Sequence, residues 1–194
     1  MRGSGWPGRE PSDSELGRVA VLGYGYVMSA VLEPLVQSPK LPLYVAELNA
    51  LLAREQAARQ RFRDELSPSD KGEFVCGQVV MHSPARFRHT NVRDLLARLL
   101  SAYVDRHGLG WVGGEKVLVT LTRNDFEPDI VFYGVEKAAR LTPDQILFPP
   151  PDLVVEVLSD TTAARDRGVK MEDFAAHGVR EYWLVDPDEE FVEQ

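Results

Sequence analysis

A single glutamate, Glu156, sets the tightest limit on how this chain can fold. It lies inside DLVVEVL, residues 152–158, the most hydrophobic strand-like run in the sequence. Side chains of a strand alternate between faces, so Glu156 shares its face with Val154 and Leu158. A strand that is apolar on both faces apart from one residue reads as a central strand, covered on both sides. An unpaired charge buried there is expensive, so the carboxylate must find a cation, a metal ion or a proton. A buried ion pair with an arginine or lysine is one answer, and metal ligation is the other.

The segments around that strand predict a mixed α/β domain. Residues 44–66 carry Tyr44, Leu48, Leu51, Leu52, Phe62 and Leu66 at helical spacing, and SPSD at 67–70 ends the helix with turn chemistry. EFVCGQVVM, residues 73–81, reads as one or two strands with Gly77 at a turn or bulge. Val92, Leu95, Leu96, Leu99, Leu100 and Tyr103 mark a second helix that stops at His107-Gly108. KVLVTLT (116–122) and DIVFY (129–133) are β-rich and separated by RNDFEP, which reads as a polar turn. A loop with weak helical character at 136–145 and three prolines lead into the central strand. A helix over 160–177, ended by Gly178, and a last strand at 181–185 complete the pattern. The expected architecture is one mixed sheet between helices.

Residues 1–40 read as a separate, partly flexible extension, and residues 41–194 as the domain. GSGWPGREPSDSE near the N-terminus lacks the apolar residues needed for a core. VAVLGYGYVMSAVL, residues 19–32, is uncharged for 14 residues, short of the roughly 20 that span a bilayer. Acidic residues precede it, unlike a signal peptide, so no membrane association is expected. One cysteine, Cys76, allows no internal disulfide and points to a reducing cytoplasm; with four scattered histidines it gives no basis for structural zinc. The formal charge of −8 argues against a protein that coats nucleic acid, but not against an enzyme with one local basic patch.

Two further residues join Glu156. Asp129 follows Pro128 at the start of a strand, and Lys170 lies on the helix after the central strand. Two carboxylates on neighbouring strands make the oxygen-rich site that magnesium prefers. A bound metal would lower the pKa of a water, and a lysine would orient that water and offset charge on a pentavalent phosphate. For Lys170 the plain alternative is an i,i+4 pair with Asp166. Lys116 is the next candidate for a catalytic lysine. Arg86, Arg88, His89 and Arg93 form the best phosphate-contacting patch, although His89 can equally cap locally and Arg93 can be a solvated helix residue.

The run PDIVFY through PPPDLVVEVLSDTTAARDRGVKMEDFAAHGVREYWLVDP resembles the Uma-two family of restriction endonucleases, placed among the PD-(D/E)xK nucleases. The resemblance extends to GEFVCGQVVMHSPARFRH and EKVLVTLTRNDFEPDI and spans roughly residues 42–193. It implies a restriction-endonuclease-like fold in which Pro128-Asp129 is the "PD" and Glu156 the acidic residue of "(D/E)xK". The position two after Glu156 is Leu158, so the resemblance implies that Lys170 supplies the lysine from the following helix. It also implies that Glu73 completes the metal site; by its own context Glu73 could equally be a surface residue beside Lys71. Cys76 stands where members carry an acidic residue or asparagine, and the chain ends at Gln194 where members continue into further β structure.

The resulting expectation is an endonuclease cutting DNA with Mg2+ or Mn2+, acting through Asp129, Glu156, Lys170 and Glu73, with the metal on Asp129 and Glu156. A catalytically silent protein of the same fold, with a nucleic-acid-binding or regulatory role, is the alternative, and an RNA-directed nuclease a third. A homodimer is expected only by analogy with enzymes that cut both strands.

Overall fold

The structure, a computed structural model, describes residues 21–22, 26–27, 31–67 and 69–194. The lead-in at residues 1–16 and most of the apolar run at 19–32 lie outside the described residues. The chain divides into two compact units, residues 1–54 and 55–194. In the first unit, β1 (Val21–Leu22) pairs antiparallel with β2 (Tyr26–Val27), and a short α1 (Glu33–Val36) follows. The long helix α2 (Leu41–Glu65) begins in this unit and ends in the second. No helix among the described residues is long and apolar enough to cross a membrane.

The second unit contains two five-stranded sheets where one was expected. The first sheet runs in the order β12 (Phe191–Glu193), β11 (Glu181–Asp186), β10 (Leu153–Val157), β8 (Ile130–Gly134), β5 (Gly110–Gly114). The pair β10–β11 is parallel and the other pairs are antiparallel, so the sheet is mixed. Its centre is the DLVVEVL strand, as the double-sided apolar pattern predicts. The second sheet runs β4 (Gln78–Met81), β3 (Gly72–Val75), β7 (Asp125–Phe126), β6 (Leu118–Thr120), β9 (Leu147–Phe148). Here β6–β9 is parallel and the rest antiparallel.

The strand alternation divides the core. Ile130, Val155, Val157 and Val185 form one cluster, with Val92, Leu96 and Leu100 of α3 (Phe87–His107) packed against it. On the opposite face Val131, Tyr133 and Val154 join Val119 and Phe126 of the second sheet, and Phe174. Asp129 is two residues before Val131, and Glu156 two after Val154, so both belong to this inter-sheet face. Gly108 ends α3 with φ +61, the left-handed conformation glycine adopts without strain.

Four local expectations need correction. GWVGG, where no element was expected, is β5; pairing with all of β8 holds this glycine-rich segment extended. Gly110 is irreplaceable in that pairing: its φ is +137, and a Cβ would lie 2.0 Å from the Tyr133 carbonyl oxygen. The RNDFEP turn contains β7, whose Phe126 is fully buried and whose Asp125 is held by Arg59 and Arg63. The helix expected over 160–177 is broken into α5 (Ala163–Arg165), a π-helical turn (Asp166–Lys170) and α6 (Met171–Ala176). Gly168, at φ −109 and ψ −110, is the break. Finally, the strand at 181–186 is not the last, because β12 covers its edge. The weak helical signal after residue 135 is a single turn, α4 (Val135–Ala138).

Candidate active site

Five acidic side chains are buried around one cleft: Glu73, Glu127, Asp129, Glu156 and Asp166. Each arrives by a separate local rule. Glu73 comes from β3 and is fully buried, so it is not the surface neighbour of Lys71 that its context also allowed. Asp129 stands immediately before β8, where its Oδ2 accepts a 2.9 Å hydrogen bond from the Val157 N–H of β10. Glu156 projects from β10, and Asp166 and Lys170 flank the π-helical turn. That widened turn, rather than a regular helix, presents Lys170 to the carboxylates of β3 and β10.

Lys170 is the cationic centre of the group and is only 2% exposed. Its Nζ lies 2.6 Å from Glu156 Oε1, 2.8 Å from Glu73 Oε1 and 3.5 Å from Asp166 Oδ1. The i,i+4 contact with Asp166 therefore exists, but deep in the protein and beside two closer carboxylates. The ammonium also sits 5.7 Å from the centre of the Phe126 ring. The ion pair with Lys170 does not saturate the Glu156 carboxylate. Its Oε1 meets Lys170 closely yet off the direction of a proper hydrogen bond, and Glu73 Oε2 likewise has no hydrogen-bond partner.

Charge in this group is unbalanced, and protonation follows. Burial pushes the Glu156 carboxyl well up, opposed by Lys170 and reinforced by Asp166, Asp129 and Glu73. Burial also raises Glu127 and Asp166. Glu73 moves the other way, down to about 2, because Lys170 and His82 together outweigh its burial. Asp129 is held far below the usual carboxylate range: burial is outweighed by His89, Lys71 and the Val157 N–H. Burial alone would lower Lys170, but Glu156, Glu73 and Asp166 keep it well above its ordinary value.

Asp129, Glu156, Lys170, Arg86, Arg88, His89 and Arg93 all line this cleft, which has a volume of about 620 Å3, and Glu73 touches it through Lys170. The basic residues are not free, however. Arg86 pairs with Asp160 at 3.2 Å, Arg88 with Asp188, and Arg93 with Asp94 and Glu115. His89 Nε2 lies 3.4 Å from Asp129 Oδ1, so it faces the carboxylate rather than standing out on the rim. Lys116 reaches the Asp70 carbonyl and stays 3.9 Å from Glu127.

Sequence reasoning missed Lys71, His82, Glu127, Arg165 and Asp166 as cleft groups. Lys71 Nζ donates to Asp129 Oδ1 at 3.0 Å, and His82 Nε2 lies 3.3 Å from Glu73 Oε2. Glu127, two residues before Asp129, accepts the backbone N–H groups of Gly72 and Lys116. Glu127 gave a signal, an acidic residue beside the PD pair, and so did Asp166, four residues before Lys170; Lys71, His82 and Arg165 sit in polar local sequence where nothing in the pattern separates them from surface. Arg59, Arg61 and Arg63 formed the densest basic cluster of α2, yet Arg59 and Arg63 are consumed by Asp125.

Among the described residues no three histidine, cysteine or acidic side chains stand grouped as a ready-made metal site. Lysines occupy the spaces between the carboxylates instead. The donor chemistry nevertheless fits a hard divalent cation, which takes oxygen ligands, and two buried carboxylate oxygens lack hydrogen bonds.

Residues 59–193 match the profile of the Uma2 family, described as "Putative restriction endonuclease". The chain belongs to the Uma2 family. Among solved structures it is similar to one described as a putative nuclease belonging to DUF820 from Anabaena variabilis ATCC 29413. The TM-score is 0.60 with 20% identity, covering 69% of this chain and 76% of that one. The shared fold is the mixed α/β arrangement described above. A curated relative, uncharacterized protein sll1609 of Synechocystis sp., is 25% identical over 146 residues, 74% of this chain and 79% of its own length. The Uma2 profile begins at Arg59, inside α2, and takes in every carboxylate of the cleft.

Proposed function

We propose that this Uma2 protein is a metal-dependent endonuclease that hydrolyses phosphodiester bonds of DNA. The observation that carries the reading is the set of buried carboxylates, Glu73, Glu127, Asp129, Glu156 and Asp166, with one buried cation, Lys170, among them, beside an open cleft rimmed by arginines. Carboxylates that outnumber the cation buried with them, and cations at the opening that can move to other partners, suit a site that admits a divalent ion.

In this reading Asp129 and Glu156 hold Mg2+ or Mn2+, with Glu73 close enough in the network to complete the set. The metal would supply Lewis-acid polarisation of the phosphate and an acidified water. The chain's own residues prepare that chemistry. The Val157 N–H fixes the Asp129 carboxylate in one rotamer, leaving Oδ1 towards the cleft. Lys170 spans Glu73, Glu156 and Asp166, so it sets the spacing of the acidic groups. Its ammonium, in poorly hydrated surroundings, also places fixed positive charge beneath the position of a bound phosphate. With its donors engaged, Lys170 can orient a water only if one carboxylate turns away, which metal binding to Glu156 would bring about. Arg86, Arg88 and Arg93 exchange their acidic partners for backbone phosphates.

A second reading, a catalytically silent protein of the same fold with a nucleic-acid-binding or regulatory role, is favoured by the lysines that stand on Asp129 and Glu156, where a metal would bind. Incubation of supercoiled plasmid and of RNA with Mg2+, Mn2+ or EDTA separates the two. Metal-dependent nicking that is lost in Glu156→Gln, a variant that keeps the side chain's shape, supports the nuclease. DNA binding by wild type with no cleavage under any metal supports the silent protein, and faster cleavage of RNA would correct the substrate.

A further inference from the structure

Two lysines serve the carboxylates of the cleft, and they are held very differently. Lys170 is sealed in and contacts three carboxylates. The Lys71 side chain is 24% exposed, lines the open cleft, and has a single hydrogen-bond acceptor, Asp129 Oδ1. It stands one residue before β3, where its carbonyl accepts the His82 N–H, so its backbone is held while its side chain reaches the opening of the cleft. Asp129 Oδ2 is committed to the Val157 N–H, which leaves Oδ1 as the oxygen available to a ligand. That oxygen is the one Lys71 covers at 3.0 Å, with His89 Nε2 farther off at 3.4 Å.

A divalent cation and the Lys71 ammonium therefore compete for one atom. Like charges around a shared oxygen repel, and a lysine stem that reaches solvent can swing its charge several ångströms without disturbing the backbone. Lys116 cannot take this part, because its ammonium is turned to the Asp70 carbonyl. Resting on the metal-dependent reading above, we propose that Lys71 is the exchangeable cation of the cleft. It neutralises Asp129 while no metal is bound. When a divalent ion takes Oδ1, Lys71 turns to a phosphate oxygen of the nucleic acid. The same residue would then couple metal occupancy to substrate affinity.

Calorimetric titration of Mn2+ into the full chain tests the first half. Lys71→Met should bind Mn2+ roughly tenfold more tightly than wild type, because a competing charge has gone. Lys71→Gln, which keeps a donor for Asp129, should do the same and serves if the methionine variant folds poorly. Lys71→Arg and Lys116→Met should match wild type. The second half is read from duplex DNA binding in Ca2+ at several salt concentrations. The neutral Lys71 variants should bind more weakly, with a salt dependence reduced by about one phosphate contact. Equal or weaker Mn2+ binding by both folded neutral variants overturns the proposal, and unchanged DNA affinity overturns its phosphate contact. If wild type itself binds no Mn2+, the metal-dependent nuclease reading fails and takes this inference with it, a result distinct from the other two.

Discussion

Replacing Lys170 by methionine tests the charge arrangement of the cleft most severely. Methionine keeps the apolar stem that packs near Phe126 and removes the only buried cation among Glu73, Glu156 and Asp166. From sequence alone, with Lys170 reaching a cleft from a helix, folding would be expected to survive intact. The burial changes that expectation. Removing one partner of a buried ion pair costs about 3–5 kcal/mol, because the other charge is left uncompensated. For a chain of this length each kcal/mol lowers Tm by about 2–4 °C, so a fall of roughly 6–20 °C is expected at neutral pH. Glu156 is already pushed up by burial, so it can accept a proton and limit the damage. Without Lys170 all three carboxyls lose the cation that lowers them, Glu73 rising from its lowered value and Glu156 and Asp166 moving further up, and acid removes their repulsion. The gap between variant and wild type should therefore be largest near pH 8 and narrow towards pH 5. Mn2+ should raise the Tm of the variant more than that of wild type, since it restores the missing charge. Scanning calorimetry at both pH values, with and without Mn2+, gives the answer. A variant that melts within about 2 °C of wild type at pH 8, or a gap that widens in acid, would refute the reasoning.

Glu73 gives a second pH test, in a more acidic window. Its folded pKa is lowered from 4.5 to about 2, so its contribution is fully present above pH 4.5 and lost as pH falls towards 2. Melting curves should show Glu73→Gln less stable than wild type at pH 7, the difference closing between pH 4.5 and 2; a constant difference contradicts the assignment. Arg59 donates to both Asp125 oxygens and to the Leu121, Thr122 and Asn124 carbonyls. Arg59→Met should cost about 3 kcal/mol in urea unfolding, the lower end of the buried-pair range because Arg63 still reaches Asp125. A loss below about 1 kcal/mol would place the holding of β7 elsewhere.

The sequence by itself determined the central strand, the α3 helix, the strand character of residues 73–81 and the inward direction of Glu156. These depend on side-chain period and turn chemistry, which are written in consecutive residues. It also determined, through the PD pair and the family resemblance, that Asp129, Glu156, Lys170 and Glu73 be considered together. Tertiary structure alone decided that the sheet is two sheets, that glycine-rich β5 is a strand, and that β7 hides inside a polar turn. In each case the deciding partner, β8 or the Arg59–Arg63 pair, lies far away in the chain. The same holds for the cleft. Lys71 and Lys170 are both ordinary lysines in polar local sequence, and only three-dimensional packing seals one among carboxylates and leaves the other at the opening. Burial, which sets a charge's energy and its protonation, is a property of neighbours that no local pattern records.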